Sequence, residues 1–295
     1  LVCDGRCGKA ARCCLCAHRC VLRGGAYGLC GVRQNRSGIL YSLVYGKLIA
    51  RHADPIEKKP LYHFLPGSKS YSIATVGCNF RCGFCQNWEI SQRNAASGVI
   101  PGDDIDSRQV VQAAVMSGCR SISYTYTEPT IFFEFAYDVA VCAHAQGLKN
   151  VFVTNGYMTQ ECLDSMGPYL DAVNVDLKFF KESSYRRICK ASLAPVCESI
   201  ERFKKRGIWV EITTLVIPGE NDSEEELAEI AAFIAGVDKD IPWHISRFHP
   251  DFSFDAYPLT PVDTLMRAAV CGRKAGLSSV YIGNVRERNE TLCRH

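Results

Sequence analysis

Residues 71–88, YSIATVGCNFRCGFCQNW, join an apolar run to a loop that carries three cysteines. The run at 71–76 is rich in β-branched and aromatic residues and predicts a buried strand. Cys78, Cys82 and Cys85 follow with the spacing C-x3-C-x2-C. Three thiolates on one loop can each bind one corner of an iron–sulfur cubane, which leaves the fourth iron without a cysteine. The spacing therefore predicts a [4Fe–4S] cluster with one open coordination position.

A mononuclear zinc site is the alternative interpretation of these three cysteines. Structural zinc takes four protein ligands, so this interpretation requires a fourth ligand from elsewhere in the chain. His63 is the nearest candidate in the sequence, and it is fifteen residues away from Cys78.

The chain beyond residue 70 alternates short strand-like runs with longer helical ones, which is typical of parallel α/β folds. Predicted strands lie at 71–76, 121–125, 150–154, 172–177, 209–216 and 243–248, with a short one at 279–282. Predicted helices lie at 107–118, 131–146, 160–167, 195–206, 222–235 and 261–275. A closed eight-fold barrel usually needs about 250 residues, and only the 225 residues from 71 to 295 are left for it. We therefore expect an α/β fold with an open, partial (βα)6 barrel over residues 71–295.

Residues 1–70 have a different composition from the predicted barrel. Residues 1–38 are rich in Cys, Arg and Gly and have no sustained periodicity, and residues 39–70 are predicted to be a connector. Residues 1–60 contain eleven Lys and Arg against three Asp and Glu. This positive charge can offset metal-bound thiolates or face an anionic partner. The net charge of +3 for the whole chain is too small to imply nucleic-acid binding.

Seventeen cysteines exceed what packing alone requires. In the N-terminal segment Cys13, Cys16, Cys20 and Cys30 supply four thiolates, which predict a metal-binding arm with zinc or an auxiliary iron–sulfur cluster. Reduced or disulfide-bonded cysteines are the third alternative, and three nearby cysteines compete as ligands: Cys3, Cys7 and Cys14. We expect the scattered cysteines to be small buried apolar residues: Cys119, Cys142, Cys162, Cys189, Cys197 and Cys271. A metal-binding role for Cys293 is left open.

Several longer motifs resemble those of the radical SAM enzyme of the AmmeMemoRadiSam system, a group related to the pyruvate formate-lyase-activating enzymes. They are DPIEKKPLYHF, GCNFRCGFCQNWEIS, TYTEPTIFFEFAYD, TNGYM, NVDLKFF and WHISRFHP. The resemblance implies that S-adenosylmethionine (SAM) binds the open iron and is cleaved reductively. The 5′-deoxyadenosyl radical then abstracts hydrogen from a small molecule or peptide, which no motif identifies.

The resemblance also implies roles for residues at the ends of the predicted strands. Phe84 would pack on adenine, and Glu128 would receive the SAM ammonium, although Tyr126 and Thr127 replace the two glycines of the family's Gly-Gly-Glu-Pro. Lys178 and His249 would lie near the SAM carboxylate and ribose. Asp176 would pair with SAM or hold a monovalent cation. Further cofactor-contact candidates are Asn155, Thr213, Leu215 and Ile282.

Each of these assignments has a structural alternative. Glu128 can be a helix cap, Phe84 an apolar anchor, and Asp176 with Lys178 a surface salt bridge.

The resemblance implies an electron donor such as flavodoxin or ferredoxin, and partners similar to Memo and AMMECR1. A glycyl-radical activase acting on a partner protein is the alternative enzyme function. A zinc-stabilised RNA-binding module is the alternative from another class. No run is long and apolar enough for a membrane span, and we expect a cytoplasmic protein.

Overall fold

In the computed structural model, which describes residues 2–3, 10–93 and 98–285, the main body is an eight-stranded sheet flanked by helices. The strands are adjacent in chain order. They are β1 (Ala50–Pro55), β2 (Lys69–Ala74), β3 (Ser121–Tyr124), β4 (Lys149–Thr154), β5 (Ala172–Asp176), β6 (Trp209–Val216), β7 (Trp243–Arg247) and β8 (Val280–Gly283).

Strands β2 to β8 are parallel, and β1 runs antiparallel to β2. Strands β1 and β8 are the two edges, so the sheet is open. One helix follows each strand from β2 to β7. The helices are α1 (Ser107–Met116), α2 (Phe133–Ala145), α3 (Gln160–Met166), α4 (Ala194–Lys205), α5 (Glu224–Val237) and α6 (Val262–Lys274). The predicted α/β fold with an open parallel barrel is confirmed.

Local sequence signals account for where the helices begin. Asp106 and Gln109 form a reciprocal capping box at α1, and Thr159 caps α3 through the amide of Cys162. Helix α5 begins after Ser223 with three glutamates in its first turn, where the helix dipole favours negative charge.

Shorter helical turns connect these elements. They are the one-turn α-helices Trp88–Ser91 and Glu182–Ser184, the π-turn Tyr185–Cys189, and the 3₁₀ turns Ile56–Lys58, Pro129–Phe132, Gly167–Tyr169 and Phe252–Phe254. The predicted helix at 131–146 therefore begins with a 3₁₀ turn, and its α-helical part starts at Phe133.

Residues 56–61, the floor segment, cross the interior of the barrel after β1. Ile56 and Leu61 are completely buried and pack against Val151 and Ala172, near the beginnings of β4 and β5. The segment therefore closes the amino-terminal end of the strands, while the loops at their carboxyl ends stay open for a site. The sequence predicted a connector in this region and not a strand that joins the sheet.

The arm, residues 10–38, packs against the outside of the barrel near α2 and α3. It contains short strands at Ala11–Cys13, Val21–Leu22 and Arg33–Arg36. Further short strands are Val2–Cys3, Ile39–Ser42, Lys47–Leu48 and Asp103–Asp104. Two bidentate ion pairs attach the arm, Arg33 to Glu134 on α2 and Arg19 to Glu161 on α3.

Within the described ranges, no helix has the length and apolar character needed to cross a membrane.

Candidate active site

The three cysteines of the cluster loop, residues 77–88, line one cavity at the carboxyl ends of the strands. This cavity has a volume of about 310 Å³. Gly77, with φ +93°, makes the turn out of the strand region, and its amide bonds to the carbonyl oxygen of Ile90 at 2.9 Å. Parallel α/β folds place their ligand sites at this end of the sheet. The structure therefore brings Cys78, Cys82 and Cys85 together where the sequence predicted them.

The donor set fits a cubane better than a single ion. No three His, Cys, Asp or Glu side chains of the described residues converge closely enough to hold one metal ion. Cubane ligands are held further apart, because each thiolate binds a different iron. Among the described residues that line the cavity there is neither a fourth cysteine nor a histidine. His63, the candidate fourth zinc ligand, instead bonds through Nε2 to the Tyr281 hydroxyl at 2.6 Å.

The three thiols lie in a water-poor environment. Burial raises the pKa of Cys78 and Cys85, and a hydrogen bond with Cys189 together with burial raises that of Cys82. Thiolates must form before they bind metal, so cluster assembly has to expel three protons here. The amide of Phe80 donates to Cys78 Sγ at 3.4 Å, a contact that stabilises a thiolate.

Five of the predicted SAM contacts also line this cavity. They are Phe84, Asn155, Asp176, Lys178 and Thr213, and the further candidate Leu215 joins them. Asn155 donates to Asn79 Oδ1 at 2.7 Å, which ties the end of β4 to the cluster loop.

Asp176 and Lys178 form an ion pair of 2.9 Å on the cavity wall. Burial lowers the pKa of Lys178, but the Asp176 carboxylate and the neighbouring Cys82 hold it well above its usual range. The ammonium also lies 5.7 Å from the centre of the Phe84 ring, within the range of a cation–π contact. The structural alternative for this pair was a surface salt bridge. The structure instead places the pair inside the cavity.

Glu128 is not among the cavity-lining residues, in contrast to its predicted contact with the SAM ammonium. Its carboxylate is fully buried and accepts hydrogen bonds from the amides of Thr130 and Asn155 and the hydroxyls of Thr130 and Thr154. It caps the 3₁₀ turn at Pro129. The structural alternative, a helix cap, describes this position, because the carboxylate is fully buried and accepts three hydrogen bonds at Oε1 and one at Oε2 from groups inside the protein.

His249 and Ile282 also lie outside the cavity lining. His249 is exposed and reaches the site indirectly, through a 2.9 Å contact between its Nε2 and the side-chain nitrogen of Gln86. Gln86 itself lines the cavity.

The arm cysteines Cys13, Cys16, Cys20 and Cys30 line a separate cavity of about 20 Å³. Burial raises the pKa of Cys13, Cys16 and Cys30, and neighbouring arm thiols add to the shift. The competitor Cys14 does not line this cavity and is disulfide-bonded. The side chains of Cys3, Cys7 and Cys293 lie outside the described residues.

The six scattered cysteines are free thiols. Cys119, Cys162, Cys189 and Cys271 are buried, whereas Cys142 and Cys197 are half-buried. Cys189 is more than an apolar residue, because its side chain hydrogen-bonds to Cys82 and its carbonyl accepts from the amide of Arg81 at 3.0 Å. The sequence offered no signal for this contact between distant residues.

Sequence reasoning also missed several polar residues that line the cavity, among them Lys58, Gln86 and Tyr126. All three lie within the motifs quoted above, so the motifs marked the correct segments but not the side chains that face the site. Tyr126 has φ +65°, a left-handed conformation that is uncommon outside glycine.

Comparison with known proteins identifies the family. The sequence profile of the Radical SAM superfamily matches residues 72–231. The uncharacterized protein MJ0808 of Methanocaldococcus jannaschii is 43% identical over 285 residues, covering 96% of this chain and 84% of its own length. The putative glycyl-radical enzyme activating enzyme MJ1632 of the same organism is 24% identical, over 61% of this chain and 68% of its own length.

Solved structures share the fold at low sequence identity. Streptococcus suis SuiB bound to S-adenosylmethionine matches with a TM-score of 0.56 at 14% identity, over 72% of this chain and 49% of that one. A domain of the pyruvate-formate lyase-activating enzyme of Bacteroides vulgatus matches with a TM-score of 0.50 at 18% identity, over 56% of this chain and 99% of that one. The profile match over residues 72–231, on a chain whose three-cysteine loop lies at the mouth of an open parallel barrel, shows that this chain belongs to the radical SAM superfamily, whose enzymes use a [4Fe–4S] cluster and S-adenosylmethionine.

Proposed function

We propose that this chain is the radical SAM enzyme of the AmmeMemoRadiSam system and acts on a small-molecule or peptide substrate. The observation that carries the proposal is one cavity lined by Cys78, Cys82 and Cys85, with no fourth cysteine or histidine among its described lining residues. Cys78, Cys82 and Cys85 would hold a [4Fe–4S] cluster, which would supply the electron for reductive cleavage of SAM and so the radical that takes hydrogen from the substrate.

The chain's own residues would bind and orient SAM. Asp176 and Lys178 present one carboxylate and one ammonium, which match the ammonium and carboxylate of a zwitterionic amino acid. Phe84 offers an apolar ring for adenine, and Asn155 and Thr213 offer neutral polar groups. Glu128 would act through Thr154 and Asn155 by holding the end of β4 in place. His249 would act through Gln86. A monovalent cation at Asp176 belongs to the same proposal.

We also propose that the four arm cysteines hold a metal, either an auxiliary iron–sulfur cluster or zinc, and zinc would require these thiols to move closer together, since no three described ligand side chains converge on one ion. They surround one cavity beside buried Arg33, and a nearby cation favours thiolates. The arm contacts the cluster loop, because His18 Nε2 lies 2.8 Å from the carbonyl oxygen of Asn79 and Arg81 bonds to the carbonyl of Leu29. Metal analysis of anaerobically purified protein distinguishes the two metals.

A flavodoxin or ferredoxin would supply the electron, and proteins similar to Memo and AMMECR1 would be partners. The support for these partners is the resemblance of the motifs described above.

Formation of 5′-deoxyadenosine tests the proposed function. Anaerobically reconstituted protein, dithionite and SAM should give 5′-deoxyadenosine, and Cys82→Ala should abolish it. Cys119→Ala is the matched control, because Cys119 is 5% exposed and Cys82 is 6% exposed, but Cys119 lies outside the cavity. Equal loss of product in both variants, or no product from the unmodified protein, would contradict the proposal.

A glycyl-radical activase is the second candidate function, and the similarity to MJ1632 favours it. Such an enzyme would leave a stable radical on a glycine of a partner protein. A glycyl doublet in the electron paramagnetic resonance spectrum of that partner, formed only with enzyme and SAM, would support this function over the first.

A further inference from the structure

The floor segment places a lysine at the active-site cavity. Lys58 and Pro60 line the cavity. Their positions are set by the buried neighbours Ile56 and Leu61. The carbonyl oxygen of Pro60 also accepts a hydrogen bond from Asn174 Nδ2 on β5, at 2.8 Å. The lysine therefore projects from a segment that is anchored on both sides.

The charges around Lys58 do not cancel. Lys58 and Lys59 share a single carboxylate, with Nζ–Oδ distances to Asp54 of 3.3 and 3.0 Å. Lys59 is buried, with only 3% of its side chain exposed, and its ammonium also lies 4.9 Å from the centre of the Tyr126 ring. Ser72 and the Tyr126 hydroxyl donate to the same Asp54 oxygen as Lys59. Asp54 Oδ2 is thus committed to Lys59, Ser72 and Tyr126, and only Oδ1 contacts Lys58. The adjacent Glu57 carboxylate accepts from the amide of Gly67 instead, so Lys58 has no carboxylate to itself.

Lys58 presents a positive charge to the cavity, which it lines. Its side chain is 66% exposed, so its ammonium has donors available to a ligand. The other charged carboxylate and ammonium groups among the described lining residues are Asp176 and Lys178, which neutralise each other. The floor of the cavity is therefore positive, while the wall that would hold SAM is balanced.

The left-handed backbone of Tyr126 is a second, independent feature of the same place. A non-glycine residue at φ +65° costs about 1–2 kcal/mol, and such strain is concentrated at functional sites. Here the strain places the Tyr126 ring between the cavity, which it lines, and Lys59, which it covers. The ring separates the buried lysine from the cavity and leaves Lys58 as the accessible cation.

We infer that the substrate is a small anionic molecule whose carboxylate or phosphate binds Lys58 at the floor of the cavity. This inference rests on the proposed function. The cavity has a volume of only about 310 Å³ and must also hold SAM, so a group that reaches Lys58 has to be small, which favours a small molecule over a protein segment. During turnover one electron from the reductant would break the C5′–S bond of SAM and release methionine. The 5′ carbon would then gain a C–H bond as one substrate C–H bond breaks, and the unpaired electron would remain on the substrate carbon.

A deuterium-transfer experiment tests the inference even though the substrate is unidentified. Metabolites below 1 kDa (roughly the size range of cofactor-site ligands) are extracted from cells grown in D₂O and separated on an anion exchanger. The retained and unretained fractions, and the protein fraction, are each incubated with reconstituted enzyme, SAM and dithionite. The mass of 5′-deoxyadenosine is then measured, since transfer of one deuterium raises it by about 1 Da.

We expect labelled 5′-deoxyadenosine from the retained fraction. In Lys58→Met the label should fall about tenfold or more, since a charge-assisted hydrogen bond is lost. Lys58→Arg should keep most of it. Lys205→Met is the matched control, because Lys205 also forms an i,i+4 pair of 3.3 Å and is 75% exposed, but on α4.

Other outcomes overturn the inference. Label from the unretained fraction or the protein fraction would show a neutral, cationic or macromolecular substrate. Full labelling in Lys58→Met, or no label from any fraction while unlabelled 5′-deoxyadenosine still forms, would also contradict it. Absence of all 5′-deoxyadenosine would instead contradict the proposed function, so the two failures are distinguishable.

Discussion

The carboxylate of Glu128 accepts four hydrogen bonds inside the protein, which makes it a structural anchor for the ends of β3 and β4. Burial raises its pKa, and the four donors oppose that shift. The residue is adjacent to the site without lining it, so its effect on SAM is expected to be indirect.

We predict that Glu128→Gln lowers the free energy of unfolding by about 1–3 kcal/mol. The NH₂ group of glutamine would face a backbone N–H that now donates a hydrogen bond to the carboxylate, so that N–H would lose its acceptor. Urea denaturation measures this change. Glu229→Gln on the exposed side of α5 is the control and should change stability by less than about 0.5 kcal/mol. Unchanged stability together with weakened SAM binding would instead favour a direct contact with SAM.

Gly77 joins the arm to the cluster loop through close packing. A Cβ atom at this position would lie 2.6 Å from Val32 Cγ1 and 2.9 Å from the carbonyl oxygen of Cys30. Both atoms belong to the arm, and the backbone oxygen cannot rotate away.

We predict that Gly77→Ala reduces the iron bound per chain after anaerobic reconstitution, because the cluster loop and the arm must separate. Gly147→Ala is the matched control. Gly147 also has a positive φ, +74°, but a Cβ atom there meets nothing within 4 Å, so only backbone strain of about 1 kcal/mol is expected. Normal iron binding in Gly77→Ala would show that close packing of the arm against the cluster loop is not needed to bind the cluster.

At the level of elements, the arm is held to the barrel by Arg33, whose side chain is only 5% exposed. Burial raises the pKa of Glu134, but the bidentate Arg33 guanidinium outweighs it and the pKa lies below the ordinary 4.5. A carboxyl group whose pKa is lowered in the folded state contributes its full stabilisation of the fold at pH values above its ordinary pKa. That contribution is lost as the pH falls through the folded-state value.

We predict that the arm loosens as the pH falls below 4.5, and that Glu134→Gln has the same effect at pH 7. The free energy that holds the arm to the barrel should fall by about 1–2 kcal/mol. This is less than the roughly 3–5 kcal/mol lost when a fully buried ion pair is broken, because the Glu134 side chain is 34% exposed. Hydrogen exchange of residues 10–36 should accelerate about tenfold. Glu198→Gln, which breaks an exposed pair on α4, should leave the arm unchanged, and equal exchange in both variants would contradict the prediction.

The elements that the sequence predicted well are those buried on both faces. Strand β5, with the sequence AVNVD, is buried at four of its five positions, and its two β-branched valines predicted a strand although Asn174 and Asp176 are polar. Strand β1 was missed because ARHADP is an exposed edge strand with no apolar pattern. The arm strands are only two to four residues long, which is too short for any periodicity to appear.

For the whole molecule, the sequence predicted which segments meet at the site but not which side chains face it. Cys78, Cys82 and Cys85 lie within eight residues of the sequence, so their spacing alone predicted that they meet at one site. The positions of Glu128 and His249 depend on how turns orient side chains, which no local pattern encodes. Lys58 reaches the cavity only because the floor segment crosses the barrel interior, and that crossing is a property of the complete fold.

The proposed function depends on an iron that three cysteines leave open to SAM. The most direct measurement is the electron paramagnetic resonance spectrum of the reduced, anaerobically reconstituted protein before and after addition of SAM. We predict a [4Fe–4S] signal whose g values shift when SAM is added, and the loss of that signal component in Cys82→Ala. A protein without this cluster, or a cluster signal that stays the same with saturating SAM, would contradict the proposed function.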